Sequence, residues 1–318
     1  MIIQAQIDPA VIERFRRLLA KDHLAHAYLL VGPQDSGKTQ TALSLAQMVN
    51  CESDLSKPCG ECAACRKIAS GNHPDVHILG NDEMDSIKIE EIRFLLGRAH
   101  LMAFEAKTKV FIIRNIELMT LEAANALLKT LEEPAPNTLM ILTTSVPEAN
   151  LETIKSRCHI VKFFPASVNR IAKYLEDEGV KKEDARFLAV YSEGCLGKTR
   201  RLMKQEDILP RRKVLDEMLL NRQNDNFFKD LSASPQEASR ALKLLMSFFR
   251  DVILLKNGVA KTELIHQDRI KEIEKFTARS FEDLSLIIRQ IVQTKELVDE
   301  KLNVKMSLSL LREHIWAS

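Results

Sequence analysis

Residues 32–39 read Gly-Pro-Gln-Asp-Ser-Gly-Lys-Thr, and nothing else in the 318 residues restricts the fold as strongly. The stretch satisfies G-x-x-x-x-G-K-[ST] in full. The run before it, HAYLLV (26–31), reads as a short buried strand. After it Ala42, Leu45, Ala46 and Val49 recur at helical spacing as far as Asn50. Glycines between a strand and a helix let backbone N–H groups turn inward around phosphate oxygens, and the new helix offers its positive end. Within Gly32, Pro33, Gln34, Asp35, Ser36, Gly37, Lys38 and Thr39, the ammonium of Lys38 suits the β- and γ-phosphates and the Thr39 hydroxyl suits Mg²⁺. Binding of ATP or ADP with Mg²⁺ is the expectation, against the alternative of a chance glycine-rich turn. Hydrolysis is a separate question.

The chain continues with the alternation that a strand–loop–helix start demands. Strands are expected at 76–79, 109–113, 139–143 and 159–163, and helices at 9–21, 89–99 and 121–132. Asp8-Pro9 reads as an N-cap with a first-turn proline, and Pro134 and Pro136 end the helix at 121–132. Five strands alternating with helices imply parallel crossover units and a sheet covered on both faces. Beyond Pro165 only helical periodicity remains. The expected organisation is an α/β domain over 1–165, a small helical unit over 166–206 punctuated by Gly194 and Gly197, and an all-α domain over 207–318. Leu242, Leu245, Met246 and Phe249 outline one core stripe, and Leu284, Ile287, Ile288 and Ile291 another.

A nucleotide-hydrolysing domain of this kind needs a carboxylate at the end of a neighbouring apolar strand to help hold Mg²⁺. The strand KVFII (109–113) is followed by Arg114 and Asn115. A guanidinium stands where a cation would be recruited, and an amide is a poor proton acceptor. Glu117 lies two residues past the expected position and could serve only if the turn were rearranged. Bound nucleotide with poor turnover is the resulting expectation.

Four cysteines, Cys51, Cys59, Cys62 and Cys65, fall in C-x7-C-x2-C-x2-C, a pattern suited to a tetrahedral structural Zn²⁺ site. An iron–sulfur cluster and unligated thiols are the alternatives. Cys158 and Cys195 are isolated and read as inert. Ser156-Arg157-Cys158 precedes the strand at 159–163. By itself the triplet reads as a surface arginine near a helix end rather than as a group aimed at an adjacent subunit.

Composition narrows the classes. With 46 Lys and Arg against 44 Asp and Glu, the chain is not a basic nucleic-acid binder as a whole. The charged N-terminal stretch is unlike a secretory signal, and no run has membrane-spanning length, so a cytoplasmic location is the default.

HAYLLVGPQDSGKT (26–39), the four-cysteine insert, NALLKTLEEP (125–134) and SRC (156–158) occur in that order. In combination they resemble the bacterial DNA polymerase III clamp-loader subunits, a branch of the AAA+ ATPases. The resemblance covers roughly 10–205. It implies a P-loop AAA+ domain with a parallel five-stranded sheet flanked by helices, then a helical lid and an all-α collar for oligomerisation. It further implies a five-membered ring of gamma/tau and delta subunits that opens a sliding clamp and places it on primed DNA. Within the family, the gamma/tau motors share the phosphate loop, the cysteine knuckle and the triplet. They carry Asp-Glu at the position of Arg114-Asn115, and an arginine in the lid where this chain has Gly197 after Gly194-Cys195-Leu196. Both departures are similar to the delta-prime branch, which hydrolyses little and lends the triplet arginine to a neighbour. By that resemblance Arg157 is an arginine finger acting in trans. The whole phosphate loop fits that branch less well. An active motor and a zinc-containing, nucleotide-switched nucleic-acid-binding regulator remain alternatives.

Overall fold

Along each strand of this chain successive side chains point to opposite faces, and apolar residues fill both. In the computed structural model, which describes residues 9–53, 57–81, 84–146, 152–204, 208–221, 225–300 and 302–316, the outcome is a fully parallel sheet with helices on either side. The elements are α1 (Pro9–Ala20), β1 (Ala27–Val31), α2 (Lys38–Asn50), α3 (Ala63–Ala69), β2 (Val76–Leu79), α4 (Ile89–Ala99), β3 (Lys109–Ile113), α5 (Leu121–Glu132), β4 (Thr138–Thr144), α6 (Glu152–Lys155) and β5 (His159–Lys162). The strand order is β2-β3-β4-β1-β5. The expected α/β class and five-stranded parallel sheet are therefore present.

One face packs Leu29, Phe111, Ile113, Met140 and Leu142 against Leu95 of α4 and Leu127 and Leu131 of α5. The other packs Leu30, Val110, Ile112, Ile141 and Val161 against Phe15 of α1 and Ala42, Leu45 and Met48 of α2. Neighbouring residues such as Leu29 and Leu30 thus serve opposite layers. Burial of this kind is the main favourable term, at about 25 cal/mol per Å² of apolar surface. Asp75, buried before β2, accepts the backbone N–H groups of Phe104, Glu105 and Ala106 at 2.8–3.0 Å and ties down the turn before β3.

The chain divides into two compact units, the first comprising 1–166 with 195–197 and the second 167–194 with 198–318. The second is helical: α7 (Val168–Asp177), α8 (Lys182–Tyr191), most of α9 (Leu196–Lys204), α10 (Ile208–Leu219), α11 (Asp225–Ala233), α12 (Pro235–Lys256), α13 (Ile270–Thr277), α14 (Phe281–Asp299) and α15 (Val304–Trp316). Its core joins Leu242, Leu245, Phe248 and Phe249 of α12, Leu284, Ile287 and Ile291 of α14, and Leu308 and Leu311 of α15. Met246 and Ile288, expected in the stripes, are only half-buried, and Phe248 takes a central place. The expected N-cap Asp8 and the expected boundary at 206 lie outside the described residues. Among the described residues no helix is long and apolar enough to cross a membrane.

Candidate functional site

The C-terminal ends of β1, β3 and β4 bring the first group of candidate residues to one edge of the sheet. β4 pairs with both other strands, so the phosphate loop and Arg114-Asn115 lie at neighbouring positions, two strands apart. Gly32 leaves β1 against Phe163: an added Cβ would stand 2.5 Å from the Phe163 carbonyl oxygen. Gly37 begins α2 with φ of 91°, a left-handed conformation that favours glycine. The loop therefore needs glycine at both bracketing positions for separate reasons. Lys38 is buried, and its Nζ donates to the carbonyls of Gly32 and Pro33 at 2.7 and 2.6 Å. The Ser36 hydroxyl is buried with no hydrogen-bond partner among the described residues. A left-handed glycine at a helix start, a buried ammonium and an unsatisfied hydroxyl make a donor set that fits phosphate oxygens. Thr39 sits half-buried in the first turn of α2. Gly197, grouped with this unit, donates its N–H to the Asp35 carbonyl at 3.1 Å, and a Cβ there would lie 2.9 Å from the same oxygen.

At the end of β3 the Arg114 N–H donates to Leu79 O at 2.8 Å. Asn115 adopts φ of 53°; its N–H donates to Thr143 Oγ1 at 3.2 Å and its Nδ2 to Asn81 O at 3.3 Å. Glu117 sits in the following 3₁₀ turn (Ile116–Leu118), where its Oε1 accepts from the N–H and hydroxyl of Ser145 at 3.0 and 2.6 Å. Burial pushes the Glu117 carboxyl upward, but hydrogen bonds from the Ser145 hydroxyl, the Glu117 and Ser145 amides and the Thr144 hydroxyl together hold the group below its ordinary value. Glu117 is thus a fixed carboxylate tied to the residue after β4. Ser145 has no motif of its own and was not anticipated; only the register of β3 against β4 brings it to Glu117.

Arg157 follows α6 and precedes β5. Its Nε donates to Glu132 Oε1 at 2.7 Å and Nη2 donates to the same oxygen. Nη1 donates to Thr153 O at 2.8 Å and Ser156 Oγ at 3.1 Å. The side chain is 32% exposed and that of Glu132, the last residue of α5, 50%. Burial pushes the neighbouring Cys158 thiol up to about 12, so it stays protonated and unreactive at neutral pH.

The cysteines form a separate cluster. The Sγ atoms of Cys51, Cys59, Cys62 and Cys65 all lie within 4.8 Å of one another, and those of Cys59 and Cys65 are 4.0 Å apart. Four thiolates around Zn²⁺ with Zn–S of about 2.3 Å stand about 3.8 Å apart, so the cluster fits a structural zinc site. Cys51 caps the end of α2, and Cys62 begins α3, where its sulfur accepts from Cys65 N–H at 3.4 Å. Cys51 and Cys59 sulfurs accept from Cys59 and Cys62 N–H groups at 3.4 and 3.3 Å. The amide of Cys62, then that of Glu61, pull the Cys59 thiol down to about 6, while burial pushes that of Cys65 up. The two directions differ, and metal ligation would settle both as thiolate. α3 itself was not anticipated from the sequence.

Residues 7–167 match the family model described as DNA polymerase III, delta subunit, and residues 205–313 match DNA polymerase III, delta subunit, C terminal. The chain is 31% identical to the DNA polymerase III subunit delta' of Bacillus subtilis, over 98% of this chain and 95% of that one. It is 34% identical to the delta' subunit of Pseudomonas aeruginosa over 77% of this chain and 74% of the other. A solved structure of a DNA polymerase III gamma subunit-related protein from Thermotoga maritima is similar with a TM-score of 0.44 at 18% identity, over 95% of this chain and 99% of that chain.

Proposed function

The chain belongs to the DNA polymerase III delta' subunit family, and from this premise we propose that it works in a clamp loader as a subunit that completes a neighbour's ATP site and turns over little nucleotide at its own. Its partners are gamma/tau and delta subunits in a five-membered ring in the cytoplasm. The ring acts on a sliding clamp and primer-template DNA, contacted through the complex. Residues 1–165 form the nucleotide domain with its knuckle at 51–65, 166–206 the lid, and 207–318 the collar.

The observation that carries this reading is the end of β3. Two groups that would gather a cation and polarise water are replaced by Arg114 and Asn115, with the Asn115 side chain bonded to the Asn81 carbonyl. The phosphate-loop residues would hold ATP or ADP with Mg²⁺; bound there, Mg²⁺ supplies charge neutralisation between the phosphates. Among the described residues no acid follows β3 directly to orient attacking water, and this supports poor turnover. Arg157 has the opposite property. Its charge is permanent and partly exposed, as a group must be if it is to reach a γ-phosphate on another subunit. The cysteine knuckle is given a structural role, because four sulfurs fill a tetrahedron and leave no open coordination position.

The complete phosphate loop favours a second reading, an active gamma/tau-type motor. Reconstitution with a gamma/tau partner separates the two. Arg157→Ala should lower hydrolysis at the shared site on the order of 10³-fold, seen as loss of that site's share of the total rate. A mutant mixture that hydrolyses as fast as the parent would remove the finger from the account.

A further inference from the structure

We infer that Glu132 is a positioning residue for Arg157: its carboxylate, with the Thr153 carbonyl and the Ser156 hydroxyl, aims the guanidinium so that one N–H is left to meet a phosphate across a subunit boundary. The inference rests on the reading of Arg157 as a finger in trans.

Arginine has five N–H donors in a rigid planar fork. Four are committed here: Nε and Nη2 each give one to Glu132 Oε1, and Nη1 gives two, to Thr153 O and Ser156 Oγ. The remaining donor, on Nη2, has no partner among the described residues. Three acceptors, from the end of α5, from α6 and from the residue after α6, fix the plane and direction of the fork. Ser156 is itself fixed, because its hydroxyl donates to Thr153 O at 3.0 Å.

Stability does not account for this arrangement. Glu132 is half exposed, and exposed ion pairs contribute little to folding. Orientation does account for it. A free arginine samples many rotamers, and ordering it on docking opposes the contact it makes. A group that must act in a transition state loses rate steeply when displaced by about 1 Å. A fork already aimed avoids both penalties, and one Nη2 N–H is left for a contact outside the subunit.

The test uses the full chain reconstituted with a gamma/tau partner and ATP. Glu132→Ala should lower kcat at the shared site about 10-fold with KM for ATP unchanged. Glu132→Gln, whose amide oxygen accepts the same two bonds, should recover most of the rate. Arg157→Ala combined with Glu132→Ala should be no slower than Arg157→Ala alone, since Glu132 acts only through the arginine. Thermal unfolding of each variant should match the parent. An unchanged or raised kcat in Glu132→Ala, or a further loss in the double variant, overturns the inference while the finger stands, provided Arg157→Ala is itself slow. If Arg157→Ala has no effect, the finger reading falls and this inference with it.

Discussion

The ends of β1 and β3 flank the same central strand, yet they carry different chemistry. After β1, the loop has its left-handed glycine, its close approach to Phe163 and a buried lysine. After β3, the positions expected to hold acids carry Arg114 and Asn115, and Glu117, two residues further on, is bonded to Ser145. The contrast teaches that gripping phosphate and breaking it depend on separate side chains, so a fold can keep the first without the second. On the proposed reading that edge of the sheet holds nucleotide, and the reactive contribution comes from Arg157, which follows α6.

The largest effect should come from outside the pair. Removing metal from the knuckle should abolish the sulfur cluster and lower the melting temperature by about 10 °C, given that structural zinc contributes several kcal/mol or more. Metal analysis should first show one zinc per chain. Because Cys51 caps α2 while the phosphate loop lies at the other end of that helix, nucleotide affinity should fall much less than stability. Equal loss of both would show that the loop depends on the knuckle.

Lys38→Ala comes next. Charge-assisted hydrogen bonds contribute about 1.5–3 kcal/mol, so nucleotide affinity should weaken on the order of 10- to 100-fold in a calorimetric titration. No change would mean that the ammonium stays on the Gly32 and Pro33 carbonyls when nucleotide is present, and the proposed grip would be wrong.

Arg114→Asp probes the other strand end. Exchanging the guanidinium for a carboxylate should weaken binding several-fold without Mg²⁺ and make affinity depend on Mg²⁺ more steeply than in the parent. Identical Mg²⁺ dependence would place the cation elsewhere.

The smallest effect belongs to Glu117. Its folded value lies below its unfolded one, so its stabilisation is complete above the ordinary carboxylate range and fades as pH falls through the depressed value. Urea unfolding at neutral pH should find Glu117→Gln less stable than the parent by about 1 kcal/mol. The gap should close in acid. A gap that widens on acidification would contradict the Ser145 bond as its cause.

The strands were legible because runs such as KVFII are buried on both faces, and burial on both faces leaves a continuous apolar signature. α5 was legible from its stripe and its terminating prolines. α3 was hidden because Cys62 and Cys65 serve as cap and buried helix residue as well as candidate metal ligands, so the spacing carries two signals at once. α6 is a single turn, too short for any period. Contacts between distant residues were not legible at all. Glu117 drew attention by its position, but its partner Ser145 is 28 residues away and is fixed by strand register. Arg157 was marked by its triplet, whereas Glu132 is 25 residues upstream and becomes its partner only when α5 and α6 pack together.

The separation of grip from turnover is tested most directly by a single-turnover measurement on the purified chain with excess protein over ATP and Mg²⁺. The account predicts that ATP is bound in a Lys38-dependent manner and recovered unhydrolysed over many minutes. Steady conversion to ADP that disappears in Lys38→Ala would contradict it, because the pocket would then possess a working acid that the end of β3 does not supply.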